Sequence, residues 1–368
     1  MSDLIKEKKP VSIWWFAFGY FAAYLPYSLL TKALTSDGFI LENKITSGEI
    51  LPITVSASVV SMLIFITSMR WWQFAAHSDV TIGSKTISLP RPTRWTLFSG
   101  ICTGFVVVTT TLAYTIEGVS IVFAMLLMRG GMLIMSPIID TLFKRHVRWF
   151  SWIALLLSIS ALVVNFAIKY DPATGWGINH AGFTLNIIII IDVIVYLMAY
   201  FVRLTFMTKL AKSDDPDVTK KYFVEEQMVG TPFLLLLLFI ASLFHNVTDL
   251  TIIQQIHNGF TSFFDHAPHI IGIAIVIGIC SQFTGVFGGL ILLDKSENAF
   301  AVPVNRCSSV LAGVFATILL VPFFEKATLP GYQEFVGAAL IVLAILFLTV
   351  APKLAKRRAQ KRLQNENS

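Results

Sequence analysis

The chain has 368 residues, of which 55% are hydrophobic and 14% are charged, and its formal net charge is +6. Soluble chains are about 45–50% apolar with about 25% charged residues, so this composition and a mean hydropathy of +0.72 exclude a soluble globular protein. The basic residues flank apolar runs and form no single patch, which excludes a nucleic-acid-binding surface. The three cysteines lie within apolar runs and have neither disulfide nor metal-site spacing.

Ten apolar stretches follow one another along the chain. Each approaches or exceeds the roughly 20 residues with which a helix crosses about 30 Å of hydrocarbon. None shows the alternation of a membrane β-barrel, so the sequence predicts helices. The first stretch is too long for a cleaved signal peptide and has no Ala-x-Ala site. The ten helices are expected near 12–34, 49–69, 95–113, 119–140, 149–168, 183–208, 222–244, 268–292, 298–322 and 332–350.

The basic residues predict the orientation of these helices. Of the 28 lysines and arginines, Arg129, Arg203 and Arg306 lie within spans. If the N-terminus is cytoplasmic, four more fall outside, and the other 21 fall on the cytoplasmic side. Positive residues concentrate on the cytoplasmic side of membrane proteins. The sequence therefore predicts that both termini are cytoplasmic.

An internal duplication is also visible. Phe-Ala-x-x-x-x-Arg occurs at 123–129 and again at 300–306, an offset of 177 residues. Two further pairs have nearly the same offset: Gly100-Ile101-Cys102 with Gly278-Ile279-Cys280, and Glu117 with Asp294. The repeat unit contains five helices, and an odd number inverts the second half, as in many secondary transporters.

We therefore expect an all-α membrane protein with ten transmembrane helices in a 5+5 inverted repeat. The first repeat covers 1–178, the second covers 179–352, and 353–368 is a basic cytoplasmic tail. Segment 247–264 places Ile and Phe at helical spacing outside the membrane, which indicates an interfacial helix or a lid.

The end of the chain carries a family resemblance. Residues 323–342 read FFEKATLPGYQEFVGAALIV, which resembles the EamA-type ending of the drug/metabolite transporter (DMT) superfamily. The ten-helix topology with cytoplasmic termini is similar to that superfamily as well. The chain departs from it after the fourth helix, where 144–148 read KRHVR in place of the usual acidic residue. The resemblance implies a cavity lined by helices 1, 3, 4, 6, 8 and 9, in which an anion contacts Arg129 and Arg306.

Both arginines lie too deep in their helices to reach the membrane surface. They could clamp a phosphate or carboxylate in bidentate geometry, or each could be neutralised by a buried acid. Asp192 on the sixth helix is the expected partner, and it could instead bind a proton or an amine. Arg203, three turns further along that helix, is expected to reach the inner surface.

Hydroxyl and amide side chains could line the same cavity or form hydrogen bonds between helices. The predicted substrate-binding set is Arg129, Arg306, Asp192, Asn305, Gln282, Tyr24, Tyr27, Thr103 and Tyr114. We find no catalytic signature and no metal-ligand spacing, so we expect no enzyme activity, no metal and no cofactor.

The function expected from the sequence is secondary active transport, or exchange, of a small anionic or zwitterionic metabolite by alternating access. The expected location is the bacterial inner membrane. The expected partners are the substrate and membrane lipid, a homodimer is compatible, and no nucleic acid is expected. One alternative is a flippase of an anionic lipid carrier on the same scaffold. A second alternative is a membrane enzyme or assembly subunit that transports nothing.

Overall fold

The fold is a bundle of long helices with two small hairpins. The computed structural model describes residues 12–36, 38–41, 45–82, 85–113, 121–171, 175–178, 187–213, 215–248, 250–325, 327 and 329–366. The α-helices in these ranges are α1 (Ile13–Thr35), α2 (Ser47–Ser68), α3 (Arg94–Ala113), α4 (Ile121–Leu142), α5 (Trp149–Ala167), α6 (Ile187–Leu210), α7 (Pro216–Leu243), α8 (Thr251–Thr261), α9 (Pro268–Leu293), α10 (Asn298–Leu320) and α11 (Tyr332–Glu366).

Six of the described helices are long and apolar enough to cross a membrane, and they are α2, α6, α7, α9, α10 and α11. A shorter apolar helix occupies Trp149–Val164 within α5. Many large side chains remain exposed along the bundle, such as Ile191, Leu156 and Ile64. Such exposure suits lipid and not water. The chain is therefore a multi-pass helical membrane protein, as the composition predicted.

Two small antiparallel hairpins lie beside the helices, and the described fold is consistent with the expected all-α membrane protein. Strand β1 (Ala76–Ile82) pairs with β2 (Lys85–Arg91), and β3 (Ile168–Asp171) pairs with β4 (Gly175–Ile178). Both hairpins lie in connections between apolar spans. The Glu225 carboxylate on α7 accepts hydrogen bonds from Ala76 N at 2.9 Å and from Thr93 N at 3.0 Å. This acid therefore fixes both ends of the first hairpin to the bundle.

The helices pack in pairs that are distant in sequence. Helix α1 lies against α9 and α10, α2 against α9, and α3 against α6 and α7. Helix α5 lies along α11, and α4 contacts α5, α6 and α10. Two glycines mark close approaches: a Cβ at Gly278 would lie 2.3 Å from Thr54 O, and one at Gly100 would lie 2.5 Å from Val229 Cβ. The Gly-Ile-Cys repeat in the sequence is thus a repeated packing contact.

Helix α8 occupies the centre of the segment predicted to be interfacial or a lid. It packs against α2 and α7, and Ile256 joins a cluster with Val55, Leu234 and Leu238. A Cβ at Gly259 would lie 2.5 Å from the Glu49 carbonyl oxygen, so α8 rests directly on the first turn of α2. The helix therefore covers the seam between α2 and α7.

The last helix is longer than the apolar run that predicts it. Helix α11 continues from the expected span through the basic segment to Glu366. Lysine, arginine, glutamine and glutamate are good helix formers, so the loss of apolar residues ends the span but not the helix. The basic tail is consequently a helical extension of α11.

Candidate functional site

A cavity of about 480 Å³ lies inside the bundle. Its wall includes residues from α1, α2, α3, α4, α6, α7, α9 and α10. Ser47, the first residue of α2, belongs to this wall and is exposed, so the cavity reaches the surface at that end. Leu292, near the last residue of α9, also belongs to the wall.

One face of α1 forms a polar stripe along the cavity. Tyr20, Tyr24, Tyr27, Thr31 and Thr35 all belong to the wall, and their spacing places them on one side of the helix. Neighbouring tyrosine rings contact each other, with centroids 5.6 Å apart for Tyr20 and Tyr24 and 5.5 Å apart for Tyr24 and Tyr27. At 1.5 Å per residue, the stripe extends over about 22 Å.

Arg306 lies at the base of this stripe and forms no ion pair with any acid that the structure describes. Its Nη2 donates to Tyr200 Oη at 3.0 Å and contacts the Met132 sulfur. The guanidinium also stands over the Tyr200 ring, 5.5 Å from its centroid. Its Nε is buried and has no hydrogen-bond acceptor. A phenol and a thioether are weak acceptors for a buried cation, so the site leaves hydrogen-bonding capacity for an anion.

Arg129 approaches the same place from α4. It lines the cavity, and within the described residues no carboxylate forms an ion pair with it. Tyr20 and Tyr196 each interact electrostatically with both Arg129 and Arg306. The two arginines that the sequence repeat relates therefore converge on one group of tyrosines.

Arg203, the third arginine of the wall, is already neutralised. Its Nε and Nη2 donate to the two oxygens of Glu226 at 2.8 and 3.1 Å, and both residues are buried. Ser99 and Thr103 also donate to this carboxylate, and Tyr222 donates to Ser99. The expectation that Arg203 reaches the inner surface is wrong, because Glu226 holds it inside the bundle.

Amide and hydroxyl side chains complete the wall. Gln282 donates to Gln227 at 3.1 Å, while Asn305 lies beside Gly288, whose carbonyl it contacts at 3.4 Å. Seven of the nine predicted site residues lie on the cavity wall: Arg129, Arg306, Asn305, Gln282, Tyr24, Tyr27 and Thr103. Tyr114 lies outside the described residues.

Asp192 departs from its predicted role. It is 4% exposed, does not line the cavity, and neither of its oxygens has a hydrogen-bond partner. The expected pairing with Arg129 or Arg306 is therefore absent. Glu226 pairs with Arg203, and the described wall contains no aspartate or glutamate. Two positive charges in the cavity, those of Arg129 and Arg306, are therefore without an acidic partner among the described residues.

The turn between α9 and α10 lies at the opposite end of the bundle from Ser47 and is clamped by the first half of the chain. Arg148 donates twice to the Glu297 carboxylate, both times at 2.8 Å, and Ser151 donates at 2.7 Å. Burial alone would raise the pKa of Glu297, but the hydrogen bonds from Arg148 and Ser151 outweigh it and lower that pKa. We call this turn, residues 294–297, with its partners the clasp.

Two more side chains belong to the clasp. The Asp140 carboxylate accepts from the backbone N–H groups of Asn298 and Ala299, at 2.9 and 2.8 Å, and so caps the first turn of α10. Lys212 Nζ donates to the carbonyl oxygen of Ser296 at 2.7 Å. Burial, together with the nearby Arg145, lowers the pKa of Lys212 to about 7, although the neighbouring carboxylates partly oppose this shift.

Sequence reasoning missed the acids that satisfy these cations. Glu225 and Glu226 lie inside a predicted span, where carboxylates are rare, and this was the available signal. Tyr20 shares a helical face with Tyr24 and Tyr27 and could have been identified by spacing. Tyr200, one helical turn before Arg203, carries no comparable signal because only the fold brings it to Arg306.

The fold and this site define a class: a multi-pass helical membrane protein with an internal, polar and cationic cavity. No protein-family model matches the chain, and no curated protein matches it. Among solved structures, 26 chains match. One of them, described as "Crystal structure of protein", has a TM-score of 0.54 and 14% identity over 91% of this chain and 96% of its own. This likeness shows a shared fold.

Proposed function

We propose that the chain is a ten-helix secondary transporter of the DMT type, EamA-like, which carries a small anionic metabolite by alternating access. The ten spans are α1 to α7 and α9 to α11, arranged as two inverted repeats of five. Alternating access needs no nucleotide. The proposed location is the bacterial inner membrane, with both termini cytoplasmic. Residues 35–48, 170–182 and 245–267 then lie outside, although parts of these loops fall beyond the described residues.

The helix packing supports the repeat. Exchanging each helix for its counterpart turns the α1–α9 contact into α6–α3 and the α2–α9 contact into α7–α3, and all four contacts are present. The same operation turns α1–α10 into α6–α4 and α4–α5 into α10–α11, which are present too. Gly278 and Gly100 occupy matching close contacts. A packing pattern that survives this exchange is expected of duplicated halves.

The observation that carries the proposal is the pair of unpaired arginines. A cation buried away from water costs several kcal/mol unless an anion meets it. Arg129 and Arg306 have no such partner among the described residues, whereas Arg203 has Glu226. A ligand with two negative charges would therefore complement the cavity better than one with a single charge. From the sequence alone, Asp192 was expected to neutralise one of the two arginines, which would have left about one positive charge in the cavity for the substrate.

The two ends of the cavity differ as alternating access requires. One end reaches the surface at Ser47. At the opposite end of the bundle is the clasp, in which Glu297, Asp140 and Lys212 hold the α9–α10 turn against the helices beside it. No clasp residue belongs to the described cavity wall, and this difference between the two ends supports a transport cycle in which they open in turn.

Uptake into proteoliposomes tests the proposal. The panel contains dianionic, monoanionic, zwitterionic, neutral and cationic metabolites, and the proteins are the wild type, Arg129→Gln and Arg306→Gln. Because a hydrogen bond to a charged group contributes about 1.5–3 kcal/mol, each substitution should reduce apparent affinity for the preferred anion about 10- to 100-fold. Arg306→Lys should restore only part of it, because lysine lacks the planar fork.

Arg91→Gln is the matched control. Arg91 is exposed on β2, so this substitution removes the same charge far from the cavity. It should transport as the wild type does. The melting temperature of Arg306→Gln should not fall, because the substitution removes an unpaired buried charge. A preference for cations, or full anion transport by both cavity variants, would contradict the proposal.

A further inference from the structure

Asp192 is an exception among the buried acids. Five aspartates and glutamates in the described residues are buried: Asp140, Asp192, Glu225, Glu226 and Glu297. Four of them accept at least three hydrogen bonds each from backbone N–H, hydroxyl, amide or guanidinium donors. Asp192 accepts none at either oxygen. Among the buried carboxylates in the described part of the chain, Asp192 is therefore the one without donors.

The surroundings of Asp192 are apolar along its own helix. Ile189 is fully buried, Val193 is 8% exposed and Asp192 itself is 4% exposed, so these neighbours supply no hydrogen-bond donor from their side chains. One turn further along the same face stands Tyr196, and one turn beyond it Tyr200, whose hydroxyl accepts from Arg306. The acid therefore belongs to the helix face that leads to the anion site without touching the cavity.

The charged groups nearby face other residues. Helix α6 packs against α3, α4, α7 and α9. From these helices the described titratable groups near α6 are Cys102, Arg129, Glu226 and Tyr222, which interact with Arg203 or Tyr196. Cys280 lies on α9. Within the described residues, none of these groups forms a hydrogen bond or an ion pair with the Asp192 carboxyl.

A carboxylate anion without donors costs far more in such a place than the neutral acid does. We propose that Asp192 is a proton-binding site: it holds a proton in this conformation, and its protonation and deprotonation are coupled to transport. The coupling rests on the proposed function. When the conformation changes and water reaches the carboxylate, a carboxylate oxygen takes a proton from water. When water reaches the carboxylate again, the same oxygen releases the proton to water.

Linkage connects the proton to the transport cycle. A ligand that binds one conformation better shifts the equilibrium towards it by its differential affinity. Protonation favours the conformation in which Asp192 is enclosed, while deprotonation favours one in which it is hydrated or paired. Asp192 lies on helix α6, and so does Tyr200, which accepts a hydrogen bond from Arg306. A movement of this helix therefore changes the environments of Asp192 and Arg306 together.

Infrared spectroscopy of the purified protein tests the site without any substrate. The probe is the proton, and the readout is the C=O stretching band of a protonated carboxylic acid. At neutral pH the wild type should show this band, Asp192→Asn should lack it, and Asp192→Glu should shift it. Glu225→Gln, which changes a carboxylate that accepts three hydrogen bonds, should leave it unchanged. Identical wild-type and Asp192→Asn spectra would overturn the proposal.

Folding gives a second readout. Asparagine has the shape of the protonated acid and carries no charge, so Asp192→Asn should fold with a melting temperature close to that of the wild type. If this variant fails to fold while Asp192→Glu folds, the carboxylate is needed in its charged form, and the proposal is wrong.

Transport separates this inference from the proposed function. For one proton per substrate, a gradient of one pH unit can change the accumulation ratio about tenfold. Wild-type uptake of the preferred anion should respond to a pH gradient of one sign, whereas Asp192→Asn should exchange the anion across the membrane without that response. A response that survives in Asp192→Asn overturns the inference alone. Absence of anion transport in both proteins overturns the proposed function, while the infrared result still decides the proton site.

Discussion

At the scale of single residues, the buried charged side chains have two kinds of surroundings. Glu297 and Glu226 each receive a bidentate guanidinium and at least one hydroxyl donor, so they are neutralised where they stand. Arg306 receives only a phenol oxygen and a thioether. The first pattern is typical of positions that hold a structure together. The second is typical of positions completed by something that the chain does not supply.

Lys212 gives a prediction for pH. Its pKa in the folded protein is about 7, below the ordinary value of 10.5. The unfolded state therefore binds more protons between these values, so the contribution of Lys212 to stability improves as the pH rises from about 7 to 10.5. Below pH 7 the full cost of its buried charge is present.

Substitution by methionine isolates this contribution. The stability of Lys212→Met relative to the wild type should be most favourable at pH 6 and should decline towards pH 10. The measurement is the melting temperature of both proteins across this range, with Lys144→Met, an exposed lysine near the same end, as control. A difference that is independent of pH would show that the Lys212 ammonium remains charged and solvated.

Residue roles could be predicted from sequence only where composition reveals them. An arginine within an apolar span is conspicuous, and Arg129 and Arg306 were identified for this reason. Its partner is not visible, because partners come from other helices: Glu226 holds Arg203 from 23 positions along the chain, and Tyr200 meets Arg306 from 106 positions away. Asp192 was assigned a partner on charge alone, and the fold placed it elsewhere.

At the scale of elements, hydropathy predicts helices well and their ends poorly. Helix α7 begins at Pro216, earlier than the apolar run, because Asp215 caps it by accepting from the Asp217 N–H. Helix α11 continues past its apolar run because the polar residues that follow are good helix formers. The β1–β2 hairpin is held by hydrogen bonds to Glu225, and no local sequence pattern predicts these contacts.

The close contact between α9 and α2 gives a prediction at this scale. A Cβ at Gly278 would lie 2.3 Å from Thr54 O and 2.6 Å from Ala57 Cβ. Gly278→Ala should therefore force the helices apart at a cost of about 1–3 kcal/mol and lower the melting temperature.

Gly272→Ala is the control on the same helix, because nothing lies within 4 Å of its added Cβ. Alanine is the better helix former by about 0.5–1 kcal/mol, so this variant should melt at the wild-type temperature or higher. Equal melting temperatures for the two variants would show that α9 and α2 do not approach closely at Gly278.

At the scale of the whole molecule, the distribution of basic residues predicts an orientation that can be tested by labelling. In a background in which the three native cysteines are replaced by serine, a cysteine at Ser47 should react with a membrane-impermeant thiol reagent added outside. A cysteine at Ala355 should react only from the cytoplasmic side. The reason is that basic residues concentrate on the cytoplasmic side. Labelling of position 355 from outside would reverse the assigned orientation.

The global arrangement was only partly predictable from the chain. The offset of 177 residues predicts which helices correspond, because it comes from the sequence itself. It does not predict that α1 lies between α9 and α10, or that α5 lies along α11. Such contacts depend on side-chain shape over whole helix faces, and in lipid no hydrophobic force between helices selects them.

The stripe on α1 has a consequence for how an anion would lose its water. An ion that enters a narrow apolar passage must shed its hydration shell in one costly step. Here Thr35 and the three tyrosines line the wall between the exposed end and Arg306. If the chain carries an anion as proposed, each of their hydroxyls would replace one hydration water as the ion moves inwards. Dehydration would then be divided into small steps over about 22 Å, and the last waters would leave where two guanidiniums take their place.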